Sequence, residues 1–287
     1  MKKQLWLKLK FILLSINLNL LMGSTCLAGE KEIISAARKN FENSNYTKAI
    51  SLYSQISVKS DFWFEAIEER AWSYTRMGQV EKALGDIHSL SSPVWSAQIG
   101  PETLMLSTFL SLKICAYKDV IKKMNRFKTI MLPRAEAMES ITKTKDIKQL
   151  AQEVEILLSK NWTLAALGKE AEKFPKFFYR DQLLMKAFKA KDKIKLAKRY
   201  QVLAKADLDE ILLNLNKMKI MDVELTQTVL GGEKPSISNS KLTFSKENRK
   251  DQIVFPITDD EVWIDEVGHY EVKANLCHNE KRVAYEK

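Results

Sequence analysis

Apolar residues follow the period of amphipathic helices over most of the chain, and one helical pattern is written twice. Ala49 and Ile50 recur 34 positions later as Ala83 and Leu84 in the same setting. Repeated units of this length typically stack as helical hairpins. The pattern therefore predicts a mainly α protein built from repeated helix pairs.

The predicted helices follow from the apolar spacing and from turn residues between the periodic stretches. The first repeat has helices at 31–43 and 46–58, and the second has helices at 61–77 and 80–90, with Asp61 as the expected N-cap and Gly78 as the turn. In a weaker third copy, residues 104–114 form the first helix and residues 117–124 echo the second.

Residues 31–130 resemble three degenerate tetratricopeptide repeats. Small residues stand where the helices of such a hairpin meet, and aromatic residues stand beside them: Ala37, Ala71, Ala49, Ala83, Tyr46, Tyr53 and Tyr74. The resemblance implies a right-handed solenoid of hairpins with a concave binding groove. Stacking is needed because one hairpin cannot bury its apolar face alone.

Helical periodicity continues from 131 to about 230. Pro133 is expected in the first turn of a new helix, because proline is tolerated there. A further, more diverged helix pair is predicted at 183–200, and a long terminal helix is predicted from Ala206 to Leu230.

The last part of the chain changes period. Gly231-Gly232 opens a linker, and alternating residues predict strands at 252–257, 261–265 and 269–274, with an earlier one at 241–244. This small antiparallel β unit is expected to cap the helical array, although an open sheet edge could also accept a strand from a partner. The predicted domains are thus 1–28, 29–130, 131–230 and 231–287.

The first 28 residues have the features of a targeting segment. Lysines near the start precede an apolar stretch at 11–22 that is too short for a confident membrane span. The segment resembles a bacterial Sec signal, which implies a periplasmic protein cleaved after Ala28. Lipid attachment at Cys26 is the second interpretation, and an uncleaved anchor is the third.

Export would leave two cysteines, Cys115 and Cys277, in an oxidising compartment. A disulfide between them would fasten the tail to the repeats. Two unpaired thiols are slightly favoured, because sequence does not supply the Cα distance that a disulfide requires.

Positive charge is concentrated in the centre of the chain. Residues 113–200 contain 22 basic and 10 acidic side chains, with a candidate basic surface at Lys186, Lys189, Lys193, Lys198 and Arg199. Such a surface is either solvated or attracts an acidic protein, an anionic membrane surface or a cell-wall polymer. An export signal argues against nucleic acid as the partner.

Motifs of common enzyme classes are missing, and we expect no catalytic residues, cofactor or metal. The histidines at 88, 269 and 278 have no partner at a diagnostic spacing, and the acidic cluster at 259–266 lacks the EF-hand pattern. The sequence favours a scaffold or adaptor of the cell envelope that binds proteins. The alternatives are a cell-wall-associated enzyme or activator and a structural subunit of an envelope complex.

Overall fold

The structure is a computed structural model that describes residues 26–92, 99–159, 173–230, 243–246, 268 and 270–274. In these ranges the chain is mainly helical, as predicted. The helices are α1 Cys26–Glu42, α2 Tyr46–Tyr53, α3 Trp63–Arg76, α4 Val80–Leu90, α5 Pro101–Lys113, α6 Tyr117–Lys143, α7 Ile147–Ser159, α8 Gln182–Lys189 and α9 Lys193–Leu230.

Two short strands, β1 Thr243–Lys246 and β2 Tyr270–Lys273, pair antiparallel with Phe244 opposite Val272. The predicted targeting segment up to residue 25, the linker and the strands expected at 252–265 lie outside the described residues. No helix in the ranges given above is long and apolar enough to span a bilayer.

The chain divides into two compact units, residues 1–78 and 79–287. The first unit contains α1, α2 and α3, with α2 packed against both of the others. Its core is made of small and aromatic side chains: Ala37, Ala49, Ala66 and Ala71 are fully buried, and Tyr53 and Trp63 nearly so. Small side chains at these positions let the helix backbones approach closely.

The turns of the first unit agree only partly with the prediction. Gly78 adopts a positive φ of 71°, which glycine does at little cost. The second helix ends at Tyr53 and not at residue 58. The next helix begins at Trp63, and Asp61 is not its N-cap. The Ser60 hydroxyl instead accepts a hydrogen bond from the Phe62 amide at 3.1 Å and donates one to Glu30.

The second unit is organised around α9, which packs against α5, α6, α7 and α8. At 38 residues this helix is about 57 Å long. It begins at Lys193, so the two helices predicted at 194–200 and 206–230 are one continuous helix. The side-chain amide of Gln201, on α9, donates to the carbonyl oxygens of Ile141 and Thr144. These carbonyls lie at the C-terminal end of α6, where they have no partner within the helix.

Pro133 does not begin a helix; it lies inside the 27-residue helix α6. Proline in a helix interior removes one backbone hydrogen bond and costs about 3 kcal/mol. Burial of the neighbouring side chains Met131 and Met138, both inaccessible to solvent, favours continuation of the helix.

A buried ion pair joins α6 to α9 one residue after this proline. The Arg134 guanidinium donates to one carboxylate oxygen of Asp207 from Nη2 at 2.6 Å and from Nε at 2.9 Å. Both side chains are less than 5 % exposed. The same oxygen accepts the backbone amide of Lys176 at 3.1 Å, so three segments of the unit meet at Asp207.

Strand β2 lies on helix α4. A Cβ atom built on Gly85 would collide with the carbonyl oxygen of Tyr270, so only glycine lets the strand approach this closely. The rings of His88 and Tyr270 meet edge to face with centroids 4.5 Å apart. Val272 is buried.

Polar contacts fix both ends of the β2 segment on α4. The Gly268 amide donates to the Ser89 hydroxyl at 2.7 Å, and the Ala274 amide donates to Glu81 Oε1 at 2.9 Å. Backbone amides at both ends of this segment therefore bind side chains of the helix. In an extended segment at a protein surface, such amides would otherwise bind water.

Candidate functional site

The residues expected at helix contacts lie mostly in the interior. Ala37, Ala49, Ala71 and Ala83 are fully buried, and Tyr53 is nearly so, whereas Tyr46 and Tyr74 are half-buried. Burial, followed by the adjacent Glu69 carboxylate, raises the pKa of Tyr53 far above its ordinary value. The four alanines and Tyr53 therefore support the helices and offer almost no surface to a ligand.

An open hollow lies beside them on the first unit. It has a volume of about 400 Å³ and is lined by residues of α1 and by Phe62, just before α3: Lys31, Ile34, Ser35, Arg38, Lys39, Glu42 and Phe62. This size falls in the usual range of ligand pockets. It would take a short peptide segment or a few side chains.

The hollow combines an apolar floor with a basic rim. Ile34 is buried and Phe62 is half-buried, while Lys31 and Lys39 are exposed. Three cations and one carboxylate line it, so it carries a net positive charge. Such a surface attracts an acidic segment that also has an apolar side chain.

One wall of the hollow is held by an ion pair between α1 and α3. Arg38 donates from Nη2 to Glu69 Oε1 at 2.6 Å and from Nε to both carboxylate oxygens at 3.0 Å. The Glu69 hydrogen bond raises the pKa of Arg38, which stays charged. Since the Arg38 side chain is 49 % exposed, the pair contributes at most about 1 kcal/mol and mainly orients the guanidinium.

The candidate basic surface is only partly free for a ligand. Arg199 is engaged with Asp181, donating from Nη2 to Oδ2 at 2.6 Å and from Nε to Oδ1 at 3.0 Å. Lys193 lies 3.4 Å from Glu155. Lys186, Lys189 and Lys198 are exposed, and in the part of the chain that the structure describes no carboxylate pairs with them.

Asp181 has a structural role that the charge pattern did not predict. Its Oδ1 accepts the Leu184 amide at 2.7 Å, which caps the N-terminus of α8. The hydrogen bond from Arg199 is the main cause that lowers the pKa of this carboxyl, and the capping amide adds to it. Arg199 thus belongs to the fold and not to an open binding surface.

Lys123 is a functional candidate that sequence analysis missed. This α6 side chain is half-buried between α5 and α6, where its Nζ donates to Ser111 Oγ at 2.7 Å and to the Ser107 carbonyl at 3.3 Å. Burial lowers its pKa to about 8. An amine beside a serine can activate it, but Ser111 is fully buried, so no substrate reaches this pair.

The preference for two unpaired thiols was wrong for Cys115, because this residue is disulfide-bonded. Its partner sulfur is not among the side chains that the structure describes, and Cys277 lies outside them. Pairing with Cys277 therefore stays a prediction. The hydroxyl of Tyr117 donates to Cys115 Sγ at 3.3 Å.

Of the remaining chemical candidates, only His88 lies in the described residues. His88 packs on Tyr270, while His269, His278 and the acidic cluster at 259–266 lie outside the described residues. Within those residues no group of three or more His, Cys, Asp or Glu side chains could hold a metal ion.

No model of a known protein family matches the chain, and the searches of curated proteins and of solved structures found no match to it. The case for a function therefore rests on the residues and on the geometry given above.

Proposed function

We propose that this protein is a scaffold of the cell envelope that binds another protein through its helical surface. In this proposal the helix pairs form a tetratricopeptide-like solenoid with a small C-terminal β unit, and the chain is exported. The 34-residue repeat and the lysine-rich, apolar start of the chain support this interpretation.

The observation that carries the proposal is the hollow on α1. The tetratricopeptide resemblance implies a concave binding groove, and α1 corresponds to the first helix of the first predicted repeat. Its floor at Ile34 and Phe62 would receive an apolar side chain, and Lys31 and Lys39 would attract acidic residues of the partner.

Affinity capture with matched variants tests the proposal. Native protein, Lys39→Glu and Lys48→Glu serve as baits in extracts of the producing cell. Lys48 is an exposed lysine on α2 that does not line the hollow. We expect a partner whose recovery falls about tenfold with Lys39→Glu, because one reversed charge at a contact commonly changes binding by about 1.4 kcal/mol or more.

The same experiment can contradict the proposal. Equal recovery of every captured protein by all three baits would show that the hollow takes no part in binding. Capture of nothing by the native bait, with the fold intact by circular dichroism, would count against a scaffold altogether.

Export is tested by the mass of the mature chain. Cleavage after Ala28 predicts a chain that begins at Gly29, and lipidation predicts an acylated Cys26. An intact N-terminus at Met1 in protein isolated from the producing cell would contradict both.

Lys186, Lys189 and Lys198, which are exposed and pair with no carboxylate of the described residues, favour a second candidate function, attachment of an enzyme or enzyme activator to an anionic cell-wall polymer. Sedimentation with purified cell wall should then decrease with salt, and it should decrease when Lys186, Lys189 and Lys198 are all replaced by Gln. Binding that is insensitive to both changes would exclude this candidate.

A further inference from the structure

Helix α6 carries a row of exposed cations along its first half. Lys118, Lys122 and Arg126 follow one another at intervals of four residues, and all three are exposed. Side chains at this interval lie about 6 Å apart along the helix axis and turn by about 40° at each step. We call these three residues the basic stripe of α6.

The acidic side chains around the basic stripe do not neutralise it. In the part of the chain that the structure describes, no carboxylate pairs with a member of the stripe. Asp119 is close in sequence, but it is half-buried and its charge acts on Lys123. Further along the same helix, in contrast, Lys143 pairs with Glu139 at 2.6 Å.

This arrangement of charge is unfavourable for the helix alone. Like charges four residues apart on a helix repel one another. Lys118 also lies in the first turn of α6, where the positive end of the helix dipole opposes a cation. Burial is the main cause that lowers the pKa of Lys123, and the Arg126 charge adds to it. An anion bound at the stripe would offset these repulsions.

Two exposed aliphatic side chains beside the stripe indicate which kind of anion fits. Ile121 and Leu132 are 52 % and 42 % exposed. They lie within about 20° of each other around the helix axis, between the basic stripe and the exposed Lys128. A hydrophilic polyanion would leave both in water, and a helix that lies in a membrane surface has a wider apolar face. Cations on both sides of an apolar strip favour a protein segment with acidic and apolar side chains.

A helix provides the matching spacing. Acidic residues at positions i, i+4 and i+8 of a partner helix also lie about 6 Å apart, so three carboxylates would meet three cations over about 12 Å. The Arg126 guanidinium can bind a carboxylate through two parallel hydrogen bonds. Coiled coils select their partners in a similar way, with opposite charges beside an apolar seam.

We propose that the first half of α6 binds an acidic amphipathic helix of a partner protein. The acidic residues of that helix pair with the basic stripe, and its apolar residues pack on Ile121 and Leu132. The surface belongs to the second unit and shares no residue with the hollow on α1. The inference therefore goes beyond the proposed scaffold site and does not depend on it.

Binding of a designed peptide to the mature native chain, measured by fluorescence anisotropy, tests the proposal. The probe is an alanine-based helical peptide of about 20 residues with glutamates at i, i+4 and i+8 and two leucines beside that row. A rearranged peptide of the same composition has its glutamates spread around the helix. The first peptide should bind at least about fivefold more tightly than the second, and added salt should weaken its binding.

Matched variants locate the site, with circular dichroism as the check of folding. Lys122→Glu should weaken binding of the first peptide about tenfold, because it sets a like charge against the glutamates. Lys219→Glu makes the same change in net charge at an exposed lysine of α9 and should bind like the native chain. Lys39→Glu, in the hollow, should also leave binding unchanged, which separates this inference from the proposed function. Ile121→Ser should weaken binding about threefold.

Several outcomes would overturn the proposal. Failure of the first peptide to bind at about 1 mM would exclude an acidic helix as the ligand. Equal binding of the two peptides, or equal losses in Lys122→Glu and Lys219→Glu, would show attraction to net charge alone. Unchanged binding in Ile121→Ser would indicate a hydrophilic polyanion. Binding to phosphatidylglycerol vesicles that Lys122→Glu abolishes, without peptide binding, would assign the face to a membrane surface.

Discussion

The environments of some charged side chains in this protein cannot be predicted from the linear sequence. Lys123 is one of the 46 basic residues of the chain, yet it is half-buried beside Ser111, where desolvation opposes its charge. Asp181 and Arg199 are separated by 18 positions and form a two-point ion pair. Both features yield measurable pH effects.

Lys123→Met should raise the free energy of unfolding at pH 7 by about 1–2 kcal/mol. Desolvation of the charged amine, which lowers its pKa to about 8, destabilises the folded state, and methionine removes that charge. The native pKa lies below the unfolded value, so native stability should rise as pH increases from about 8 towards about 10.4. In the variant this rise should disappear. Urea denaturation at pH 7 and pH 10 measures both effects.

The exposed neighbour Lys122→Met is the matched control and should change neither value appreciably. An unchanged pH dependence in Lys123→Met would show that this amine is not buried in solution.

Asp181→Asn should lower the free energy of unfolding at neutral pH by about 1–3 kcal/mol, because it removes a charge-assisted pair with Arg199. Asparagine still caps a helix, so the loss isolates the ion pair. The native pKa of Asp181 lies below its usual value. The difference between native protein and variant should therefore be full above about pH 4 and shrink as pH falls through the native pKa.

Asp192 provides the comparison, because its carboxylate lies just before α9, accepts the Lys195 amide at 3.1 Å and pairs with the Lys195 side chain. Asp192→Asn should cost less than Asp181→Asn. A loss for Asp181→Asn that is independent of pH would attribute its effect to packing and not to charge.

At the scale of the elements, helix content and most helix positions follow from apolar periodicity alone. The buried alanines Ala37, Ala49, Ala71 and Ala83 occupy the positions at which the repeat pattern placed helix contacts. These positions can be predicted from the sequence because small residues at helical spacing indicate a close contact between helices. The ends of the helices are predicted less well. Local preferences place Pro133 in the first turn of a helix and Asp61 at an N-cap, but packing overrides both.

Contacts between distant segments could not be predicted in the same way. Ser89 and Gly268 are 179 positions apart, and nothing in either local sequence indicates that they meet. Gly85 was the one available signal, since glycine inside a helix often marks a close approach of another backbone. The hollow on α1 depends on residues of α1 and on Phe62, about 20 positions further along the chain, and was likewise visible only in the structure.

Gly85→Ala should release strand β2 from helix α4, because the new methyl group meets the Tyr270 carbonyl. Alanine favours a helix by about 1 kcal/mol over glycine, so α4 itself should be retained. Hydrogen exchange at residues 270–273 should accelerate markedly. Ser51→Ala, the exposed position 34 residues earlier, is the control and should leave this exchange unchanged.

Rapid exchange at 270–273 in the native chain would show that β2 is not docked. Unchanged exchange in Gly85→Ala would show that the strand tolerates the methyl group.

At the scale of the whole molecule, a covalent bond is expected to fasten the chain end to the helices. Ala274 is bound to Glu81 at the start of α4, α4 packs against α5, and Cys115 lies two residues after α5. Cys277 follows Ala274 by three residues, a reach of at most about 10 Å. We therefore expect Cys277 to be the partner of Cys115.

Peptide mapping without reduction should recover Cys115 and Cys277 in one linked peptide. Reduction should lower the free energy of unfolding by about 2–5 kcal/mol, as the loss of a disulfide commonly does. A peptide that links Cys115 to Cys26, or a free Cys115 in protein from the producing cell, would contradict this pairing.

The central claim is that the hollow on α1 receives a partner protein. Hydrogen exchange of the native chain, measured with and without the captured partner, tests it most directly. The claim predicts slower exchange at the backbone amides of residues 31–42 in the complex, and clearly less protection at the same partner concentration when Lys39→Glu replaces the native chain. Protection confined to other helices, with α1 unaffected, would contradict it.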